Sequence, residues 1–235
     1  MKFTKHSVVL AFVLSLLAPL FAAAQSDQIQ PRRPILDANG RFWVYRNGLA
    51  HPPMPFAPYG WMSDVTNLTK LITIDLTCAD NPNTVIQTSG PSEKNSCIRM
   101  RINWGDATWA SVAFISGPDS PPWWGDAKGG RYYNLSSLAK KKLVFYARGE
   151  NGGEVIKAQI GVLGGKPFGD SLQKPIVSDE MTLTTAWTRH EVDLTSVPSD
   201  ELAHICNGFG VSVARDSQNG SANSTVFYLD DIYFE

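Results

Sequence analysis

The closing stretch TVFYLDDIYFE, residues 225–235, decides the fold class. Most of its residues are β-branched or aromatic, the types that favour strands, yet two aspartates interrupt it. Side chains alternate along a strand, so Tyr228, Asp230 and Ile232 are expected on one face and Asp231 on the other. The bulky apolar neighbours of Asp230 predict that it points inward. A buried carboxylate needs a cation, hydrogen-bond donors or a proton.

The rest of the chain repeats this strand pattern in short runs that are broken by Gly, Pro, Asn and Asp. The runs are residues 70–76, 96–104, 109–116, 141–149, 154–162, 187–194 and 208–215. Many short strands with almost no amphipathic helix are typical of an all-β sandwich or jelly roll. We therefore predict an all-β fold, a β-sandwich jelly roll.

The first 24 residues have the features of a secretory signal peptide. Lys2 and Lys5 precede an apolar run at 8–21, and Ala22-Ala23-Ala24 offers a cleavage site. The apolar run is short for a membrane span, although an uncleaved anchor helix is the alternative. We predict a secreted protein, extracellular or periplasmic, with an extended Pro- and Arg-rich arm at 25–58 and one domain at 59–235.

Charge and composition limit the classes of partner. The formal net charge is −1 at pH 7 with 18 % charged residues, so no basic face is indicated. A nucleic-acid partner is not expected. After signal cleavage no further apolar stretch is long enough to cross a membrane. Nothing in the pattern indicates the oligomeric state.

Three cysteines lie in the chain. In an exported protein, Cys78 and Cys97 could close a disulfide loop around the Asn-, Pro- and Ser-rich stretch between them. Cys206 would then be left over, and its apolar setting favours a buried free thiol. Nothing resembles a zinc-binding pattern.

Aromatic residues crowd into a loop-like stretch, PPWWGDAKGGRYY at 121–133. Trp123, Trp124, Tyr132 and Tyr133 lie among Pro and Gly residues, where they are poorly placed for a core. Exposed aromatics indicate a contact surface, and aromatic rings cover the flat C–H faces of sugars. The alternative is that some of them pack inward at the base of the loop.

Two neighbouring strand-like runs offer a second set of candidate binding residues. Alternation in LVFYARGE sets Tyr146 and Arg148 apart from the apolar Leu143 side, and Lys157 and Gln159 occupy the open side of the next run. We expect these four residues to share one polar and aromatic sheet face. A merely solvated face is the alternative.

The order of several motifs resembles that of the jelly-roll carbohydrate-binding modules of the galactose-binding-like superfamily. The motifs are LVFYARGENGGEVIKAQIG, then AWTRHEVDL, then GFG, and finally FYLDDI. The resemblance, which spans residues 59–235, implies binding of a polysaccharide or other glycan. It also implies a structural Ca²⁺ held by Asp230, with Asp64, and less readily Asp75, as partner. Alternatively, Asp230 accepts only backbone N–H bonds.

Signatures of catalysis are weak. The sequence contains neither GxSxG nor HExxH, and His190 is expected on an exposed strand position. Tyr146, Arg148 and Gln159 match residue types that polysaccharide lyases use on a sheet face. We predict a non-catalytic carbohydrate-binding protein. A jelly-roll glycoside hydrolase or polysaccharide lyase and a structural or adhesive surface protein are the alternatives.

Overall fold

Two antiparallel sheets pack face to face in the structure, a computed structural model. It describes residues 33–46, 55–79, 96–116, 133–138, 141–161, 170–218 and 223–235. Twelve strands account for most of these residues, and helix is limited to α1 (Leu68–Leu71) and 3₁₀ turns at Ser136–Leu138 and Asp200–Leu202. The predicted all-β sandwich jelly roll is confirmed. Within the described ranges, no helix is long and apolar enough to cross a membrane.

The chain crosses repeatedly between the two sheets. Its strands are β1 (Phe42–Tyr45), β2 (Ala57–Ser63), β3 (Ile72–Ala79), β4 (Ser96–Asn103), β5 (Trp109–Ile115), β6 (Lys142–Gly149), β7 (Val155–Ile160), β8 (Ile176–Val177), β9 (Met181–Thr182), β10 (Thr188–Asp193), β11 (Asn207–Ala214) and β12 (Ser224–Phe234). Strands β3 and β4 are nonetheless neighbours in one sheet, and β7, β8 and β9 are paired in the other. Sheet I has the order β10-β6-β12-β4-β3, with β1 also paired to β12. Sheet II has the order β2-β5-β11-β7-β8, with β9 also paired to β7.

Aromatic side chains join the two sheets across the core. Phe145 of sheet I lies 5.3 Å, between ring centroids, from Phe209 of sheet II, which in turn lies 5.2 Å from Phe114. His190 also faces this core and stacks on Phe145, so the expectation of an exposed histidine is wrong. Burial lowers the pKa of His190, because the charged imidazolium is disfavoured away from water.

The closing strand departs from strict alternation at its two aspartates. Asp231 has φ +45°, and the pairing of β12 with β6 shifts register between Asp230 and Tyr233. This is a β-bulge, in which one extra residue resets the alternation. Leu229 and Ile232 therefore both lie in the core, and the prediction that Asp230 points inward with Ile232 is wrong. Both aspartates are buried, and the Asp231 N–H donates to Asp230 Oδ1 over 2.8 Å.

The N-terminal region contributes to the core before the predicted domain start at residue 59. Strand β1 pairs with the last residues of β12, with Phe42 opposite Phe234. Phe42, Val44 and Phe56 are buried in the main apolar cluster. Part of the predicted arm is therefore an integral piece of the sandwich. The predicted signal peptide, residues 1–24, lies outside the described residues.

The two cysteines of the predicted disulfide lie on neighbouring strands. Cys78 of β3 and Cys97 of β4 are direct cross-strand partners, and the structure shows no disulfide bond between them. Directly opposed residues of an antiparallel pair have Cα atoms about 4.5–5.5 Å apart, within the range that a disulfide spans. The geometry is therefore compatible with oxidation.

We predict that Cys78 and Cys97 form a disulfide when the protein is placed in an oxidising compartment. Mass spectrometry of peptides from the non-reduced protein should recover the two cysteines in one linked species, lighter by two hydrogens than the separate thiols. Cys206 serves as the internal control, because it is buried directly before β11 and should be alkylatable only after unfolding. Two alkylatable thiols at Cys78 and Cys97 in protein isolated from an oxidising compartment would contradict the prediction.

Candidate functional site

The four residues expected on one sheet face are divided between the two outer faces of the sandwich. Tyr146 and Arg148 lie on β6 of sheet I, whereas Lys157 and Gln159 lie on β7 of sheet II. The expectation that they share a surface is wrong, because β6 and β7 are joined by a turn that crosses from one sheet to the other. The lyase-like combination of Tyr146, Arg148 and Gln159 is consequently not assembled.

The outer face of sheet I is filled by contacts among its own aromatic and charged side chains. The Arg148 guanidinium carbon lies 3.7 Å from the centroid of the Tyr228 ring and 5.4 Å from that of Trp187. The Tyr228 hydroxyl donates to Glu150 and accepts from Arg99 Nε over 3.2 Å. Tyr228 is only 7 % exposed. This stacking leaves little ring surface for a ligand.

Tyr146 is equally enclosed on the same face. Its side chain is 8 % exposed and packs with Val144 and Tyr233. Burial raises the pKa of Tyr146, and the nearby Tyr233 raises it further. Leu229 and Ile232 both belong to the core, so the two aspartates between them lie on the Tyr146 side of the sheet. These residues form a second packed layer on the outside of sheet I.

The outer face of sheet II has small residues along its middle strands and longer ones at its edges. One row across four strands runs Met62, Ser111, Ser212, Lys157. The next row runs Gly60, Ala113, Gly210, Gln159. A Cβ on Gly210 would lie 2.9 Å from Cγ of Gln159, so glycine at this position leaves room for the Gln159 side chain to lie across the strand.

A groove opens at one end of this face, which we call the Trp109 groove. It has a volume of about 260 Å³ and is lined by Trp109, Val155, Ile156, Lys157, Glu180, Ser212, Val213, Ala214 and Ser217. Trp109 stands directly opposite Ala214 at the start of β5, and its side chain is 38 % exposed. The groove thus combines an accessible indole ring with a floor of small side chains.

Polar groups of the Trp109 groove are held in place by one another. Lys157 Nζ lies 3.2 Å from Glu180 Oε1, and the Ser217 hydroxyl donates to the same oxygen over 3.3 Å. An exposed ion pair of this kind contributes little to stability. It does present a charged donor and a charged acceptor beside the indole ring. Such a concave site with a few convergent polar groups suits a small polar ligand.

Comparison with protein-family models and with curated protein sequences gave no match. Comparison with solved structures gave several carbohydrate-binding modules. A family 30 module matches with a TM-score of 0.47 at 12 % identity, over 82 % of this chain and 86 % of that one. A second family 30 module, from a cellulosomal cellulase of Clostridium thermocellum, has a TM-score of 0.46 at 13 % identity, covering 83 % and 96 %. A family 11 module of the same organism, in complex with a β-1,3-1,4-mixed-linked tetrasaccharide, has a TM-score of 0.41 at 10 % identity, covering 79 % and 91 %.

The aromatic loop of the sequence prediction falls largely outside the described residues. Trp123, Trp124 and Tyr132 belong to the undescribed range 117–132. Tyr133 is described and is 9 % exposed, with ring centroids 5.2 Å from both Phe42 and Phe56. Tyr133 is therefore part of the core, which corrects its assignment to an exposed binding loop.

The two residues predicted to share a calcium ion are not brought together. Asp64 follows β2 of sheet II and accepts hydrogen bonds from the Thr108 N–H over 3.1 Å, whereas Asp230 lies on sheet I. Asp75, the weaker candidate, lies on β3 opposite Arg99. Within the described ranges, no group of three or more His, Cys, Asp or Glu side chains is arranged to hold a metal. Asp64 and Asp230 do not fit a single ion.

Calcium binding at the closing strand stays a prediction. The β-bulge changes which substitutions test it, because it places both aspartates on one side of the sheet. If Ca²⁺ binds there, a hundredfold excess over Kd should stabilise the fold by about 2.7 kcal/mol, and a chelator should lower the melting temperature. Because Asp231 lies on the same side as Asp230, replacing either aspartate with Ala should weaken the response, and Asp64→Ala should leave it intact. A melting curve that chelation does not move would exclude the ion.

Trp109 was missed by sequence reasoning as a candidate ligand contact. Its signal was present, since an aromatic residue that opens a strand soon after the Gly105-Asp106 turn stands at the end of a sheet. The sequence does not show which strands pair beside the strand that Trp109 opens. Only the register Trp109 opposite Ala214, with Lys157 one strand farther, reveals that small side chains leave the indole accessible.

Proposed function

We propose that this chain is a secreted, non-catalytic carbohydrate-binding protein that holds a polysaccharide in the Trp109 groove. The indole of Trp109 covers the C–H face of a sugar ring. Lys157, Glu180 and Ser212 exchange hydrogen bonds with its hydroxyls, and Gln159 extends this polar edge along the sheet. The predicted signal peptide at 1–24 supports export to the extracellular space or the periplasm.

The accessible indole of Trp109 is the observation that carries this proposal. Large hydrophobic side chains with substantial exposure are few among the described residues, and Trp109 is the aromatic one, the others being Ile35, Leu36 and Val177. The ring sits beside a charged donor–acceptor pair in a concave site. An aromatic platform with adjacent polar groups is suited to a ligand that is apolar on its face and polar around its rim.

The groove does not support hydrolysis. A glycosidase needs two carboxyl groups placed on either side of the scissile bond. Among the described residues that line the groove, Glu180 is the one carboxylate, and it is paired with Lys157. The separation of Gln159 from Tyr146 and Arg148 likewise gives no support to a lyase.

The proposal predicts which face of the sandwich responds to mutation. Lys157→Ala removes one charged donor from the Trp109 groove and should weaken glycan binding about threefold to tenfold, the value of one ordinary hydrogen bond. Arg148→Ala on sheet I is the matched control, because it also removes one partly buried cation from an outer sheet face. Isothermal calorimetry with a glycan selected on an array of polysaccharides measures both. Equal losses in the two variants would argue against the groove.

Catalysis is tested on the same preparation. The mature protein should release no new reducing ends and no unsaturated products from any polysaccharide that it retains. Turnover that survives Lys157→Ala and Trp109→Ala would place an active site elsewhere in the chain and would favour the enzyme alternative.

A further inference from the structure

The charged pair of the Trp109 groove lies across the groove from the indole ring. Trp109 is on β5, its neighbours Ala214 and Ser212 are on β11, and Lys157 stands opposite Ser212 on β7. Adjacent strands are about 4.8 Å apart, so β5 and β7 are separated by roughly 10 Å with β11 between them. A sugar ring that covers the indole therefore presents one edge to Lys157 and Glu180. Among the described residues that line the groove, these two are the charged ones.

The backbone on either side of Glu180 holds it at this edge. Glu180 lies between β8 and β9, which both pair with β7. The Ser178 N–H donates to the Ala158 carbonyl over 2.9 Å, and the Ser178 hydroxyl accepts the Ala158 N–H over 2.9 Å. The connection between the two short strands is therefore fixed to β7 beside Lys157. A neutral side chain at residue 180 should leave this backbone in place.

A second anchored segment contacts the Glu180 carboxylate. The Ser217 hydroxyl donates to Glu180 Oε1 over 3.3 Å, and Lys157 Nζ lies 3.2 Å from the same oxygen. Ser217 belongs to the turn after β11. The side-chain amide of Gln218 fixes this turn, because it bonds the N–H and the carbonyl of Val155 over 3.1 and 2.9 Å. The carboxylate is thus held against Lys157 by neighbours that are themselves positioned by the main chain.

This ion pair determines which charges the edge of the groove accepts. Lys157 without Glu180 would be a compact cation beside an aromatic ring, an arrangement that attracts the carboxylate of a uronic acid. With Glu180 in contact, the cation already has its counter-charge, and a second carboxylate at this edge is repelled by the first. Neutral hydroxyls avoid this repulsion, since they can donate to Glu180 and accept from Lys157. The nearby Arg215 does not compensate, because its guanidinium donates to the Gly105 carbonyl over 2.8 Å.

We propose that Glu180 determines the charge specificity of the Trp109 groove, so that the groove accepts neutral sugars and rejects uronic acids. Glu180 acts in two ways. It occupies the cation that a uronate needs, and it places a negative charge where the uronate carboxylate would lie. This inference rests on the proposed carbohydrate-binding function and adds to it the residue that selects the class of sugar.

Glu180→Gln tests this role, because glutamine keeps an oxygen for the Ser217 hydroxyl and removes the negative charge. The probes are matched oligosaccharides, from mannan and polymannuronate and from glucan and polyglucuronate, that differ in a hydroxymethyl or a carboxylate group. Calorimetry on the wild type should give a preference for the neutral member. In Glu180→Gln the ratio of affinities should move toward the uronate about tenfold or more, the value of one charge-assisted hydrogen bond. Added salt should weaken the new uronate binding by screening.

Two further variants separate this role from a general effect of charge. The double variant Lys157→Gln, Glu180→Gln should lose the gain for uronates, because the cation that binds them is gone. Asp179→Asn removes an exposed carboxylate one residue away that does not line the groove, and it should leave the ratio within about twofold.

The proposal is overturned if the wild type binds the uronate member of a pair as tightly as the neutral one. It is also overturned if Glu180→Gln leaves the ratio unchanged in a protein that holds neutral sugars through Trp109, and the proposed function of the groove then stands. A wild type that binds no neutral sugar, in these pairs or on a polysaccharide array, would refute the proposed function and this inference together.

Discussion

Trp109→Ala should reduce retention on the recognised polysaccharide about thirtyfold or more. Central aromatic residues of a binding site contribute about 2 kcal/mol or more, which corresponds to that factor. The indole is the largest accessible apolar surface of the Trp109 groove, and no other aromatic side chain lines the groove among the described residues. Affinity electrophoresis in gels that contain the polysaccharide measures the loss, since bound protein is retarded.

Trp187→Ala is the matched control for this change. Trp187 is also partly exposed, but it lies on the outer face of sheet I. There it packs against Arg148 and against a small apolar cluster that contains Cys97 and Val226. Its loss should leave the retardation within about twofold of the wild type, as expected for a side chain outside the binding site. The account is contradicted if Trp187→Ala abolishes retention and Trp109→Ala retains it, because the ligand would then lie on sheet I.

Asp170→Asn should change the difference in unfolding free energy between pH 4 and pH 7 by about 2 kcal/mol relative to the wild type. Asp170 is 7 % exposed, and burial raises its pKa to about 6, although the Cys206 thiol and N–H donate to it. The unfolded chain has a pKa near 3.9, so the folded state binds this proton more tightly. Between about pH 4 and pH 6 the folded state must ionise a buried group, and its contribution to stability falls as pH rises.

The measurement is the difference in unfolding free energy between variant and wild type at pH 4 and at pH 7. Two histidines act in the opposite direction, because burial lowers the pKa of His190 and of His204 and so favours folding as pH rises. Both histidines are present in the variant and in the wild type, so their contribution cancels in the difference between the two proteins. Asp179→Asn, at an exposed position, should give a flat difference. A flat difference for Asp170→Asn as well would show that Asp170 ionises normally in the folded state.

Strand content and the closing strand were predictable because they depend on local side-chain chemistry. β-branched and aromatic runs separated by Gly, Pro and Asn predict strands whatever their partners are. The bulge at Asp231 was not predictable, since it depends on the register between β12 and β6. One extra residue there reversed the expected direction of Asp230 and, with it, the reasoning for a calcium pair with Asp64.

The binding surface was harder to predict because it depends on which strands belong to the same sheet. Tyr146 and Lys157 are only eleven residues apart in sequence, yet they lie on opposite outer faces of the sandwich. Alternation correctly separated Tyr146 from the core residue Phe145, and Lys157 from Ala158. It gave no information on the crossing between sheets, so residues with correct outward directions were assigned to one surface that does not exist.

The cross-strand cysteines show the opposite case. Their pairing was suggested by export and by spacing alone, and the structure places Cys78 directly opposite Cys97. Trp104, in the same stretch of sequence as Trp109, belongs to the core. It is 1 % exposed, and its indole N–H donates to Thr225 Oγ1 over 2.9 Å. The sequence does not distinguish such a core tryptophan from the accessible Trp109 five residues later.

A crystal structure of the mature protein with its selected oligosaccharide tests the central claim most directly. The account predicts density for a sugar ring packed against the Trp109 indole, with hydroxyls within hydrogen-bond distance of Lys157 or Glu180. Further sugar contacts along Gln159 would agree with this position. Density on the outer face of sheet I, against Tyr146 and Trp187, with the Trp109 groove holding only solvent, would contradict it.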